Sequence, residues 1–199
     1  VISTVLGGKS VSIILASASP RRQELLLQVG CKFRVVKSDV VEDNSLALPP
    51  RELAIYQAKA KALAVAAQAG ADDVVIGADT IVVLGDKVFG KPADLVDARA
   101  MLKELSGKDH QVMTGVAVVH GGSCYSDVAV TTVSMRDLTD DEIERYLATG
   151  EPFDKAGGYA IQGIGALLIN GIEGCYFNVV GLPLVTLAKL LAKVGINLL

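Results

Sequence analysis

The sequence has 199 residues, 51% of them apolar and 21% charged. That length suits one domain or two closely fused lobes, and the apolar share excludes a disordered chain. A balance of 19 Lys and Arg against 22 Asp and Glu gives a net charge of −3. This excludes a protein that grips nucleic-acid backbone by bulk positive charge, though not a compact site for one small anion. Charged residues interrupt every apolar run before the ~18 residues that a membrane span needs. Val1 to Leu6 lacks a basic leader, so no signal peptide is expected. Cys31, Cys124 and Cys175 are far apart and odd in number, which points to a reducing compartment, the cytosol, rather than a disulfide framework. With only His110 and His120, a His-rich zinc site is excluded.

In chain order, Val11 to Leu15 is a short apolar run, expected as a buried strand. Ser19 suits an N-cap, Pro20 the first helical position and Gly30 the end of a helix over 21–29. Phe33 to Lys37 reads as a second strand. Arg51 to Ala69 reads as a long helix, with Leu53, Tyr56, Ala60, Leu63 and Ala67 as its apolar stripe. On that stripe Lys59 borders the apolar face and Lys61 points further away. Val74 to Ile76 is a strand running into Gly77-Ala78-Asp79-Thr80, and Ile81 to Leu84 continues extended. Asp94 caps a helix that ends before Gly107. Residues 110–119 and 125–135 form a hairpin through Gly121-Gly122. Thr139 and Glu142 have capping-box spacing, 157–172 is loop and strand, and Pro183 opens a terminal helix. Alternating strands and helices with one antiparallel hairpin give an α/β fold with a mixed sheet.

Several segments carry chemical potential. Leu15-Ala-Ser-Ala-Ser-Pro-Arg-Arg22 joins a strand, a small-residue loop and a helix start with two arginines in its first turn. Cations there oppose the helix dipole. Either an anion bound by the loop compensates them, or surface acids pair with them. Asp79, beyond an apolar strand, is either a Mg²⁺ ligand or an ordinary turn residue. Glu42 is either a second ligand or part of a solvated acidic loop. Lys59 and Lys91 are candidates for phosphate contact or plain surface lysines. Gln162, in a glycine-rich stretch, offers a donor and an acceptor that suit a base edge. Gly8-Lys9-Ser10 imitates the end of a P-loop, but Ser3 stands where its first glycine is required.

Taken together, these segments resemble the Maf family of nucleoside triphosphate pyrophosphatases. The resemblance rests on 15–22, the acidic stretch through Glu42, Lys59-Ala-Lys-Ala62, Gly77-Ala-Asp-Thr80, Lys91-Pro92 and Leu105-Ser-Gly107. It continues through His110-Gln-Val-Met-Thr-Gly115, Asp154-Lys-Ala-Gly-Gly-Tyr159, Ile161-Gln-Gly163 and Val179-Val-Gly-Leu-Pro183. The chain departs from the family pattern at Gly90, where many relatives carry Glu.

The resemblance implies a two-lobed, inosine-triphosphatase-like α/β fold with a mixed, curved central sheet and a cleft between lobes. Residues 1–10 are then an N-terminal extension, 11–199 a single domain and roughly 106–135 its second lobe. It implies cleavage of a nucleoside triphosphate to monophosphate and pyrophosphate with a divalent metal, Mg²⁺ or Mn²⁺. Ser17, Arg21 and Arg22 match the phosphate loop, Lys59 and Lys91 the active-site lysines, and Glu42 and Asp79 the acidic, metal-binding pair. Asp79 is the expected catalytic carboxylate. Arg21, Thr80 and Gln162 resemble the subgroup acting on dTTP and UTP, and the implied role is nucleotide-pool cleaning. A nucleotide-binding regulator of septum formation without turnover, and an inosine triphosphate pyrophosphatase, are the alternatives. Neither a membrane nor a stable nucleic-acid partner is expected, and the apolar helix faces permit a homodimer.

Overall fold

The computed structural model describes residues 5–6 and 9–199. Of the expected N-terminal extension only a backbone ladder is described, Val5–Leu6 (β1) antiparallel to Lys9–Ser10 (β2); the rest lies outside the described residues. Then follow β3 (Ile13–Leu15), α1 (Pro20–Gln28), β4 (Arg34–Val35), α2 (Pro50–Ala66), β5 (Val74–Leu84) and β6 (Lys87–Phe89). After these come α3 (Leu95–Leu105), β7 (Asp109–His120), β8 (Ser123–Met135) and α4 (Asp140–Leu147). Three short 3₁₀ turns lead to β9 (Ile169–Glu173), α5 (Tyr176–Val180) and α6 (Leu184–Lys193). One seven-stranded sheet has the order β4-β3-β5-β7-β8-β9, with β6 on β5. The β4-β3-β5 pairs are parallel and the remainder antiparallel, so the sheet is mixed, as expected.

β5 is one continuous strand where the sequence suggests two extended pieces around a turn. Gly77 to Thr80 pair residue by residue with 114–117 of β7, which supplies the ladder that a turn would have lacked. Side chains alternate across it. Val75, Ile81 and Val83 pack on the α2 side, whereas Ile76, Ala78 and Val82 face the cores built with α1, α6 and α3. The stretch 106–135, expected as a second lobe, is largely the β7–β8 hairpin. β5 and β7 both contribute to two large apolar clusters, one with α1 and α6 and the other with α3 and α4.

The apolar stripe expected on α2 is corrected by a rotation about the helix axis. Tyr56 is 53% exposed and Leu63 46%; the buried face is Leu53, Ala54, Gln57, Ala58, Lys61, Ala62 and Val65. The cause is close packing of backbones. A Cβ on Gly77 would lie 2.4 Å from the Ala58 carbonyl oxygen, and one on Gly115 2.2 Å from that of Ala54. Only the small residues of α2 fit against those glycines, so Ala54, Ala58 and Ala62, spaced by one turn, turn inward rather than the larger apolar side chains.

His110 is buried on β7, its Nε2 2.5 Å from the Tyr159 hydroxyl. Burial pushes its pKa down to about 4 from 6.5, outweighing the nearby Lys108 carbonyl and Asp109. The unfolded chain takes up this proton near pH 6.5, and the folded chain only near pH 4. Stability therefore falls as pH drops through that window. Thermal midpoints measured from pH 7 to pH 4 should decline, with a shallower slope in His110→Gln.

Candidate active site

The site forms where the edge of β5 is open. Among the described residues, β3 pairs with 74–76 and β6 with 82–84, so the edge between them carries no strand. The chain leaving β3 turns there: the Ala16 amide donates to the Ile76 carbonyl at 2.7 Å, and the next residues enter α1 at Pro20. Ser19 occupies the N-cap position in extended geometry, but its side chain caps no helix amide, so it does not act as the expected side-chain cap. The Ser17 hydroxyl instead accepts from the Ser19 amide (3.3 Å) and from Arg22 Nη1 (3.2 Å).

Arg22 is held by neutral acceptors. Its Nε donates to the Gly181 carbonyl at 2.7 Å and its Nη2 to Thr80 Oγ1 at 3.0 Å. Burial lowers its pKa, against the opposing charges of Asp79 and Glu42, and its remaining N–H groups are left for an anion. Arg21 instead pairs with Asp154 at 3.0 Å, and Lys155 bonds the same carboxylate at 2.5 Å. Burial acts to raise the Asp154 pKa, yet Lys155 and Arg21 hold it below the usual carboxylate value. Arg21 thus meets a surface acid, whereas the partners of Arg22 are Gly181, Ser17 and Thr80.

Across the cleft lies a cluster of carboxylates and lysines. Asp79, expected beyond the end of a strand, sits in the middle of β5 and is 3% exposed. It faces α2, where Lys61 Nζ donates to Asp79 Oδ1 at 2.6 Å and to Glu42 Oε1 at 2.7 Å. Lys91 Nζ reaches both Glu42 oxygens, at 3.0 and 3.2 Å. Partial burial acts to raise the Glu42 pKa, but the two ammonium groups hold it at about 2. The loop carrying Glu42 is pinned by buried Gln57, which accepts from the Asp43 amide and donates to Asn44 Oδ1. Gly90 gives Asn44 its room, since a Cβ there would lie 2.5 Å from Asn44 Nδ2.

Lys59 requires correction. It does not line the cleft; its charge is felt instead at Cys124. The residue that meets the carboxylates is Lys61, two positions on and around the helix. The signal in the sequence was the Ala54, Ala58, Ala62 spacing, which marks the face bearing Gln57 and Lys61. Every other expected site residue lines one cleft of 540 Å³: Ser17, Arg21, Arg22, Glu42, Asp79, Thr80, Lys91 and Gln162. Lys37 and Lys155 also line it, beside an apolar part that includes Val82, Val112 and Tyr159. Among the described residues no group of three or more His, Cys, Asp or Glu gathers to form a metal cage. Two carboxylates beside a cationic cleft do suit a hard divalent ion that takes its other ligands from phosphate and water.

An arginine and serine at a helix start, facing a buried aspartate, a glutamate and two lysines across an open sheet edge, define an α/β protein built to hold a polyphosphate. The chain belongs to the Maf family: the Maf-like protein family matches residues 12–194. A relative from Pelotomaculum thermopropionicum, named dTTP/UTP pyrophosphatase, is 51% identical over 94% of this chain and 98% of its own. Relatives of the same name from Vibrio cholerae and Pyrococcus furiosus are each 49% identical, over 91% and 90% of this chain and 97% and 93% of theirs. Among solved structures, a nucleoside-triphosphatase described as a dITP/XTP pyrophosphatase, from Mycobacterium abscessus, aligns with a TM-score of 0.40. It is 13% identical over 70% of this chain and 92% of that one.

Proposed function

We propose that the chain hydrolyses dTTP, UTP and related modified pyrimidine nucleotides to the monophosphate and pyrophosphate, and so clears them from the nucleotide pool. The observation that carries this reading is the Lys61 ammonium held between Asp79 and Glu42, opposite Arg22 and Ser17 in one cleft. Arg22, with Gly181, Thr80 and Ser17 fixing its plane, holds phosphate oxygens without reorganising as charge develops. Lys61 holds both carboxylates in place, and Lys61 with Lys91 keeps Glu42 ionised. Asp79, whose Oδ1 is bound to Lys61, offers Oδ2 to orient a water and take its proton. The water oxygen bonds to the α-phosphorus, the bridging bond to the β-phosphate breaks, and pyrophosphate leaves with that electron pair. Glu42 and Asp79 are the residues that would hold a divalent metal, which when bound neutralises charge on the polyphosphate.

Gln162 lines the cleft and makes no hydrogen bond to another described residue, so its amide is available to a base. One donor and one acceptor match the carbonyl and N–H of thymine or uracil. The cytosol, a reducing compartment, suits the three free cysteines, and no described helix is long and apolar enough to cross a membrane. Pyrophosphate release from dTTP, UTP, CTP, GTP, ITP and 7-methyl-GTP tests the reading. It expects dTTP and UTP to lead. Preferred turnover of a purine would overturn the base assignment, and binding of nucleotides without turnover would favour the regulator.

A further inference from the structure

We propose that Thr80 serves the phosphate end of the substrate by locking Arg22, and that Thr114 is the positioning residue that holds Thr80 in this role. The inference rests on the reading of the cleft as a polyphosphate site. It gives a specific role to a residue that the resemblance ties only to the subgroup acting on dTTP and UTP.

A row of hydrogen bonds joins Arg22 to the core, and its protons can be counted. Thr114 Oγ1 lies 2.9 Å from the Asn178 carbonyl and 2.9 Å from Thr80 Oγ1, which in turn lies 3.0 Å from Arg22 Nη2. A guanidinium only donates, a carbonyl only accepts, and each hydroxyl has a single proton. The row therefore has one consistent polarity. Thr114 gives its proton to Asn178, so it accepts from Thr80. Thr80 has then used its proton and meets Arg22 as an acceptor. It has none left to donate to a base carbonyl.

The far end of the row is fixed in the core. Thr114 and Asn178 are wholly buried, and the Asn178 amide donates to the Val112 carbonyl at 2.9 Å and to Thr131 Oγ1 at 2.8 Å. Asn178 lies on α5, and Gly181, just beyond that helix, presents its carbonyl to Arg22 Nε. The α5 segment thus holds the guanidinium twice, directly through Gly181 and through the two threonines. Sheet alternation explains why Thr80 is suited to this and Asp79 is not: Asp79 faces Lys61 on one side of β5, and Thr80 faces Arg22 on the other.

Binding of inorganic tripolyphosphate with Mg²⁺ by calorimetry, beside binding of dTTP, UTP and CTP, tests the proposal in the full chain. Thr80→Val should weaken all four ligands by roughly tenfold, the scale of one hydrogen bond to a charged group. The dTTP-to-CTP ratio should not change. Thr114→Val should do the same, Thr114→Ser and Thr80→Ser should restore binding, and the double valine variant should be no worse than either single one. Unchanged tripolyphosphate binding in Thr80→Val with a shifted base ratio would overturn the proposal. So would Thr114→Val that melts lower but binds tripolyphosphate as the wild type does. If Thr114→Val does not fold, the Thr80→Val and Thr80→Ser pair decides alone. Wild-type protein that binds tripolyphosphate but turns over no nucleotide would sink the proposed activity and leave this inference standing; wild-type protein that turns over dTTP but does not bind tripolyphosphate would sink this inference and leave the activity standing.

Discussion

Lys61→Met should lower turnover of dTTP by about 10²–10³-fold, the scale of losing one preorganised charge from an active site. Lys59→Met should leave turnover within about twofold, since surface changes away from such features seldom matter. Among the described residues Lys61 alone bridges Asp79 and Glu42, at 2.6 and 2.7 Å. Without it, two carboxylates face each other and Asp79 is deeply buried. Like charges so placed repel each other, which displaces the carboxylate that orients the water. Breaking a buried pair from one side also costs about 3–5 kcal/mol of stability. Activity is therefore to be read at a temperature where circular dichroism shows the variant folded. Asp79→Asn, which removes the carboxylate but keeps its shape, should lose turnover to a similar degree. A Lys61→Met enzyme as active as wild type, with Lys59→Met inactive, would reverse the assignment of the two lysines.

Gly115→Ala should destabilise the protein by more than about 4 kcal/mol or prevent folding, although it adds a single methyl group. The new Cβ would lie 2.2 Å from the Ala54 oxygen, 2.4 Å from its carbonyl carbon and 2.7 Å from the Ile55 nitrogen. All three are backbone atoms of α2, so no side chain can rotate away, and the helix itself must shift. Gly77 makes a matching contact one turn along, at Ala58 and Ala62. Lifting α2 would also draw Lys61 from Asp79, so the folded fraction that remains should be less active per molecule than wild type. Gly171→Ala is the control: it has open space around the added Cβ and should unfold in urea at the wild-type midpoint. A wild-type midpoint for Gly115→Ala would show that the helix does not press on the sheet as described.

The parts of this architecture legible in the sequence are those written in short-range chemistry. The capping box at Thr139 and Glu142 is present with both of its bonds, Asp94 caps α3 through the Asp97 amide, and the hairpin turns at Gly121 and Gly122. Pro20 opens α1 after the serine loop, which places Arg22 at the cleft. What escaped depends on partners distant in the chain. Large apolar residues on α2 suggest one face, but glycines on β5 and β7 admit only alanines, so the helix turns and exchanges Lys59 for Lys61. Asp79 looks like a residue past a strand until β7 pairs with it. The five residues of α5 are too few to show a period, and the Thr80–Thr114–Asn178 row joins three separate segments.

The most direct test of the central claim is product analysis by phosphorus NMR after incubating the purified chain with dTTP and Mg²⁺. Wild type should give dTMP and pyrophosphate in equal amounts, and Asp79→Asn should not. Formation of dTDP and orthophosphate, or undiminished pyrophosphate release by Asp79→Asn, would contradict that claim.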